Sequence, residues 1–420
     1  MLYRKRWRHI VFRLIRYLLP SLLLWTIYET VTIRNAINHE ARKPVPPFTQ
    51  ERIFVASIHW TTERLLRSHW APAIAQLARD LGPDNVFFSI YESGSFDDTK
   101  GVLELLKEDL DQAGVGHKVV LDETTHQDEV ESAPAETGWI QMPMQKYYRQ
   151  NWTDWFSLEK DTWVPRRIPY LARLRNLVME PLYELQEAGQ KFDRVLWLND
   201  VVFNSDDVRR LLQTRSGDYA AACALDFKHP PAFYDTFATR DANGFAPESD
   251  LWPYFRSSAS RQALLEGLPV PVASCWNGMV VFDAAPFYTA QSPLAFRGIA
   301  DSLATEHLEG SECCLIHADN PLSETKGVWV NPLVRVAYNG SGYDDVHASE
   351  TSTWPSNVAV ATGLWRNRFN RWFRMSSPVD GTVVERISDW MRRDSSPSEP
   401  GGFCVIDEMQ VLLWNGWGHA

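Results

Sequence analysis

Short apolar runs alternate with amphipathic helical stretches from residue 53 onward, and this alternation restricts the chain more than any other feature it carries. "RIFVASIH" supplies a strand at Ile53–Ile58. Glu63–Leu81 follows, with Leu65, Leu66, Ile74, Leu77 and Leu81 at helical spacing, a kink near Pro72 and a stop at Gly82. "NVFFSIY" is a second strand, Thr99–Ala113 a helix with Leu103, Leu106 and Leu110 on one face, and "HKVVL" a third strand. The rhythm resumes with a helix at Pro169–Glu187, the strand of "RVLWLNDVVF", a helix from Asp206 to Leu212 capped by Ser205, and strands at Tyr219–Leu225 and Met279–Phe282. Strands and helices in such alternation predict an α/β fold, a mostly parallel sheet covered by helices on both faces. The acidic stretch 122–136 has almost no apolar content and is predicted to be a solvated loop.

At 420 residues the chain is long enough for one large domain or two closely packed ones. Its net charge of −11 excludes broad electrostatic attraction to nucleic acid, which depends on basic patches. The one basic cluster, Arg4, Lys5, Arg6, Arg8, Arg13 and Arg16, precedes the uncharged run Tyr17–Tyr28. That order predicts a cytosolic tail at 1–16 and a membrane-crossing signal-anchor at 17–33, in preference to a cleaved signal or a soluble helix. The Pro-rich residues 34–50 then read as a stem, 51–345 as the main domain and 346–420 as a C-terminal extension without clear periodicity, packed on it. Two sequons, at Asn151 and Asn339, fit a lumenal main domain, and in an oxidising lumen the five cysteines allow one or two disulfides. The absence of a C-x-x-C pair argues against a zinc site, and the odd count leaves at least one thiol without an intrachain partner.

Ligands of open α/β sheets sit beyond the carboxyl ends of the strands. "VLWLND" delivers Asn199 and Asp200 to such an end. A carboxylate there calls for neutralisation, and the simplest partner is Mn²⁺ or Mg²⁺ held together with a diphosphate. Asx residues also form turns, so the dipeptide alone leaves both readings open. Further polar groups flank apolar runs. Arg175 and Asn176 lie in "YLARLRN", Asp226 behind the strand Tyr219–Leu225, Arg240 and Asp241 in "FATRDANG", and Trp276, Asn277 and Gly278 ahead of Met279. Glu312 and His317 lie in "EGSECCLIHADN". Arginine suits phosphate oxygens, a glycine permits close backbone approach, and Trp276 offers a face for a sugar.

Taken together, "ASIHWTTERLL", "YESGSFDDT", "RIPYLARLRNLVMEPL", "DRVLWLNDVVF", "CALDF", "FYDTFATRD", "SCWNGMVVFDAAPF" and "EGSECCLIHAD" resemble the fungal cryptococcal mannosyltransferase family, glycosyltransferase family 69, which includes the capsule-associated alpha-1,3-mannosyltransferase. The resemblance runs over residues 52–340. It implies a GT-A-like nucleotide-sugar transferase fold after an N-terminal membrane anchor, retaining alpha-1,3 transfer of mannose from GDP-mannose to a mannose-containing glycan acceptor, and residence in the Golgi as a type II protein. GT-A enzymes end the corresponding strand in a D-x-D-like motif, reduced here to Asn199-Asp200. Under this reading Asn199, Asp200 and His317 hold the metal, Asp241 and Glu312 are the catalytic carboxylates, and Arg175, Asn176, Asp226, Arg240, Trp276, Asn277 and Gly278 bind substrate. The reduced motif also admits an alternative: a non-catalytic lumenal protein required for capsule or cell-wall polysaccharide assembly or export.

Overall fold

The computed structural model describes residues 2–142, 146–149, 155–157, 162–347, 354–373, 379–393 and 398–419. A ten-stranded sheet organises them. Gly116–Asp122, Val86–Ser93, Ile53–His59 and Arg194–Leu198 lie side by side and parallel, so their carboxyl ends gather on one edge. Met279–Asp283 runs antiparallel between Arg194–Leu198 and Ala221–His229, and Val328–Ala337 then pairs parallel with Ala221–His229.

Residue alternation assigns each strand to two cores. Phe54, Val195 and Trp197 enter one, with Leu174, Val178 and Leu182 of the helix Arg167–Glu187. Ile53, Val55, Leu196 and Leu198 enter the other, with Ile74 and Leu77 of Ala71–Leu81, Leu103 and Leu106 of Thr99–Gln112, and Val208 and Leu211 of Ser205–Leu212. Helices thus cover both faces, as the period-2 strands between amphipathic helices predict. The helix ending at Leu212 begins at Ser205, one residue before the predicted start, because Asn204 and Asp207 form a capping box. The acidic segment 122–136 holds a short helix, His126–Glu131, under a Thr125–Asp128 capping box, with His126 buried.

A third core lies under the C-terminal extension, where Val405, Val411 and Trp390 pack with Leu303 and Leu315. Val405–Ile406 pairs with Glu309–Gly310, and Gln410–Leu413 with Gly416–His419. Two disulfides, Cys223–Cys275 and Cys314–Cys404, leave Cys313 free and buried. Beneath this region Arg166, with no exposed surface, bonds bidentately to Glu309 at 3.2 and 2.6 Å, to Asp301 at 2.6 Å and to the Ile299 carbonyl at 3.0 Å.

The N-terminal reading needs correction. Among the described residues no helix is long and apolar enough to cross a membrane. Residues 2–41 form one helix containing Pro20, and Arg16, Glu29 and Arg34 bound its apolar stretch too closely. Its second half packs on the domain instead. Ile33 and Ile37 are buried in the first core, Glu29 pairs with Arg368, and Trp25 meets Trp365 edge-on at 5.8 Å. The expected stem at 34–50 is therefore helical through Ala41 and without regular secondary structure only beyond it. Asn339 caps the helix Gly340–Val346 and donates to the Lys228 carbonyl, which ties its amide to the fold; the sequon asparagine Asn151 lies outside the described residues.

Candidate active-site cleft

Two connected chambers, with volumes of about 510 and 450 Å³, open at the carboxyl edge of the parallel strands. They share Arg167, Leu171, Arg175, Asn199, Tyr234, Tyr338 and Trp417 as a common wall. The smaller chamber follows the strand ends: His59 closing Ile53–His59 and Trp60 just beyond it, Ser93 closing Val86–Ser93, and Asp200 beyond Arg194–Leu198. Trp60 stacks on His126 there, ring centroids 4.2 Å apart.

Asn199 shapes the turn that presents Asp200. Its amide nitrogen donates to the Gly278 carbonyl at 2.9 Å, its carbonyl accepts from Trp70 Nε1 at 3.1 Å, and its side-chain oxygen accepts from Trp276 Nε1 at 3.0 Å. Asp200 has no such partner among the described residues. Burial without a compensating cation raises its pKa to about 6. A partly sunken carboxylate open to a cavity has the donor chemistry of a Mn²⁺ or Mg²⁺ site, since these ions bind through one or two carboxylates together with phosphate oxygens. Asn199, with its oxygen engaged by the indole, positions Trp276.

Across the shared wall, buried Arg175 donates from Nε to Glu312 at 3.1 Å and lies over Trp276 at 4.3 Å and Trp197 at 5.1 Å. Its Nη1 has no partner among the described residues, so this guanidinium retains donor capacity beside the cleft. Arg167, pointing into both chambers, bonds Gln410 at 2.6 Å and lies over Trp417 at 4.4 Å.

Asp226 is fully buried behind the cleft. It accepts from the Asp235 amide at 3.1 Å and from the Tyr338 hydroxyl at 3.0 Å, and does not itself line either chamber. Burial first, then repulsion from Asp235, raises its pKa to about 8. A folded-state pKa above the unfolded value makes a carboxyl favourable at low pH and increasingly unfavourable as pH rises from about 4 to about 8. Asp226→Asn is therefore expected to raise the melting temperature by roughly 2 °C or more at pH 8 and by much less at pH 4. Thermal denaturation across that range checks it; a gap independent of pH contradicts the assignment.

Several predicted site residues serve the fold. His317 lines neither chamber: its Nε2 bonds the Cys275 carbonyl, its ring stacks on Phe282, and burial lowers its pKa to about 4. The cluster it forms with Cys223 and Cys275 is a disulfide plus a histidine, whose sulfurs are spent on each other. Asp241 is turned away from the cleft, accepting amide hydrogens from Asn243, Phe245 and Ser257. Asn176 makes a reciprocal pair with the Phe296 backbone. Asn277 is fully buried, with Trp276 N and Thr239 Oγ1 donating to its side-chain oxygen. Gly278, at φ +74°, leaves no room for a Cβ, which would fall 2.8 Å from Val201 Cγ1; its role is close packing. Arg240 borders the larger chamber, yet its guanidinium donates to the carbonyls of Thr236, Phe237, Thr239, Phe403 and Cys404.

The structure adds residues that the pattern did not single out: Arg167, Tyr234, Tyr338, and Glu408, Gln410, Trp417 and His419 from the C-terminal extension. Asp235, one of several turn carboxylates in its segment, proves to be the one lining the larger chamber. For Arg167 a signal was present: in "PRRIPYL" two arginines open a helix after an extended segment, and the structure divides them between a buried ion-pair network and the cleft.

A family model described as cryptococcal mannosyltransferase 1 matches residues 52–319, most of the sheet and the cleft. The chain belongs to the cryptococcal mannosyltransferase family. It is thus a glycosyltransferase by family, on an α/β fold. Comparison with curated proteins gives no match. Among solved structures, the mannosyltransferase PcManGT from Pyrobaculum calidifontis in complex with GDP-Man and Mn²⁺ is similar at 11% identity, over 90% of this chain and 78% of that one, with a TM-score of 0.37. TarS residues 1–349 of S. aureus are similar at 10% identity, over 81% of this chain and 80% of that one, also with a TM-score of 0.37. These scores mark a general likeness, and no chemistry is carried over from them.

Proposed function

We propose that this glycosyltransferase moves mannose from GDP-mannose to a mannose-containing glycan acceptor, forming an alpha-1,3 linkage with retention, in the Golgi lumen. One observation carries the reading: at the carboxyl end of Arg194–Leu198, Asp200 presents an unpaired carboxylate to a cleft that also holds Arg167 and Arg175. Asp200 would hold a Mn²⁺ or Mg²⁺, which supplies Lewis-acid neutralisation of charge on the departing diphosphate. Arg175 lends the wall positive charge. Trp276, fixed by Asn199, shapes the sugar side, and Glu312, held by Arg175, is the carboxylate offered to the oxocarbenium-like centre. Two disulfides favour an oxidising compartment, which supports the lumenal assignment.

A donor screen tests this directly. Purified protein is incubated with a panel of nucleotide sugars and Mn²⁺, and free nucleotide is measured with and without mannobiose. GDP-mannose is expected to be the preferred donor, with GDP release accelerated by acceptor. Preference for a uridine sugar, or no release from any donor, contradicts the proposal.

A further inference from the structure

The larger chamber has a wall beyond the reach of the family match. Glu408, Gln410 and Trp417 come from the extension, well past residue 319 where that match ends. The Cys314–Cys404 disulfide and the pairing of Val405–Ile406 with Glu309–Gly310 fasten this wall to the helix beginning at Glu312. Its polar groups are organised in series. Arg167 donates to Gln410 Oε1, Gln410 Nε2 donates to Glu408 Oε1 at 2.8 Å, and His419 Nδ1 lies 2.6 Å from that same oxygen. The other Glu408 oxygen has no partner among the described residues, which leaves an oriented acceptor on the chamber beside the Trp417 ring.

The balance of charge differs between the two chambers. Beside the shared Arg167 and Arg175, the larger one gathers three carboxylates, Asp235, Glu312 and Glu408, and the guanidinium of Arg240 at its border is turned into backbone carbonyls; the smaller one sets one carboxylate, Asp200, against the same two arginines and Lys228. The larger lining is the less favourable to an anionic diphosphate and suits a neutral polyol, whose hydroxyls donate to carboxylates and whose C–H face rests on an indole. The smaller chamber, with Lys228 and the Trp60–His126 stack beside Asp200, suits a planar base and its phosphates.

We propose that the larger chamber binds the neutral acceptor glycan, and that Glu408 and Trp417 of the C-terminal extension set its affinity and selectivity. This rests on the transferase reading above. In the full-length chain, Glu408→Ala, which touches the larger chamber alone, is expected to raise KM for mannobiose about tenfold, a change of the size that losing one charged contact brings, with a much smaller change in KM for GDP-mannose; Trp417→Ala, at the junction of the two chambers, is expected to raise KM for mannobiose by at least as much. Trp417→Phe, which keeps a ring over Arg167, falls between. For Glu408→Ala, an equal or larger effect on KM for GDP-mannose, or no effect on either KM, overturns the assignment. If the wild-type protein turns over no nucleotide sugar, the transferase reading fails separately, and saturation-transfer NMR with mannobiose still reads the chamber. Contact signals in the wild type that weaken or vanish in Glu408→Ala uphold the site; their absence from the wild type, or their persistence unchanged in the variant, overturns it.

Discussion

Asp200→Asn is expected to lower mannosyl transfer about a thousandfold or more while leaving thermal stability equal or higher. The two effects have one cause. Asp200 sits partly sunken with no cation beside it, and its pKa is raised to about 6 by burial; at neutral pH the fold therefore carries an unfavourable charge that the asparagine removes. The activity loss follows from removing the one open carboxylate at the strand end, where loss of a preorganised electrostatic partner costs several kcal/mol at the transition state. A residue whose replacement stabilises the protein and stops the reaction is retained for chemistry. Circular dichroism melting and single-turnover transfer on the same preparation check both halves. Retained turnover, or a stability loss of the same size as an ordinary core mutation, contradicts the role.

The second large effect concerns stability. Arg166→Ala is expected to destabilise the chain by about 3–5 kcal/mol, the range for removing one partner of a buried ion pair. Glu309 has no exposed surface and depends on this guanidinium, with Glu312 adding repulsion. Burial already raises the Glu309 pKa, and loss of Arg166 raises it further. Because a raised carboxyl pKa makes stability fall as pH increases, the defect is expected to be smaller at pH 5 than at pH 8. Denaturant unfolding at both values measures it; a pH-independent loss points to cavity formation instead. The same change loosens the start of the helix that carries Arg167 and Arg175, so the cleft is expected to weaken with the fold.

The sheet was legible because its evidence is local. Period-2 strands and amphipathic helices each declare themselves within a dozen residues, and the strand running into Asn199-Asp200 marks the cleft edge by simple topology. The side chains completing the site were not legible, because their placement depends on long-range packing. Asp235 and Asp241 occupy the same turn-rich segment and look alike in sequence, yet Asp235 faces the cleft and Asp241 organises three backbone amides. His317 has the residue type of a ligand but lies behind the Cys223–Cys275 disulfide, a pairing that no spacing reveals. Trp417 and Gln410 meet Arg167 across some 240 residues of chain, in a stretch whose short strands pair with distant segments. At the N-terminus, a moderately apolar run flanked by basic residues reads as an anchor from its flanks, whereas Ile33 and Ile37 of the same helix find a core to enter.

The central claim is that Asp200 and the strand-end chamber form a cation-dependent nucleotide site. Isothermal titration of GDP into the purified chain, with and without Mn²⁺, tests it most directly. A binding heat that requires Mn²⁺ in the wild type and disappears in Asp200→Asn is the expected result. GDP binding that ignores the cation, or that persists unchanged in the variant, would contradict it.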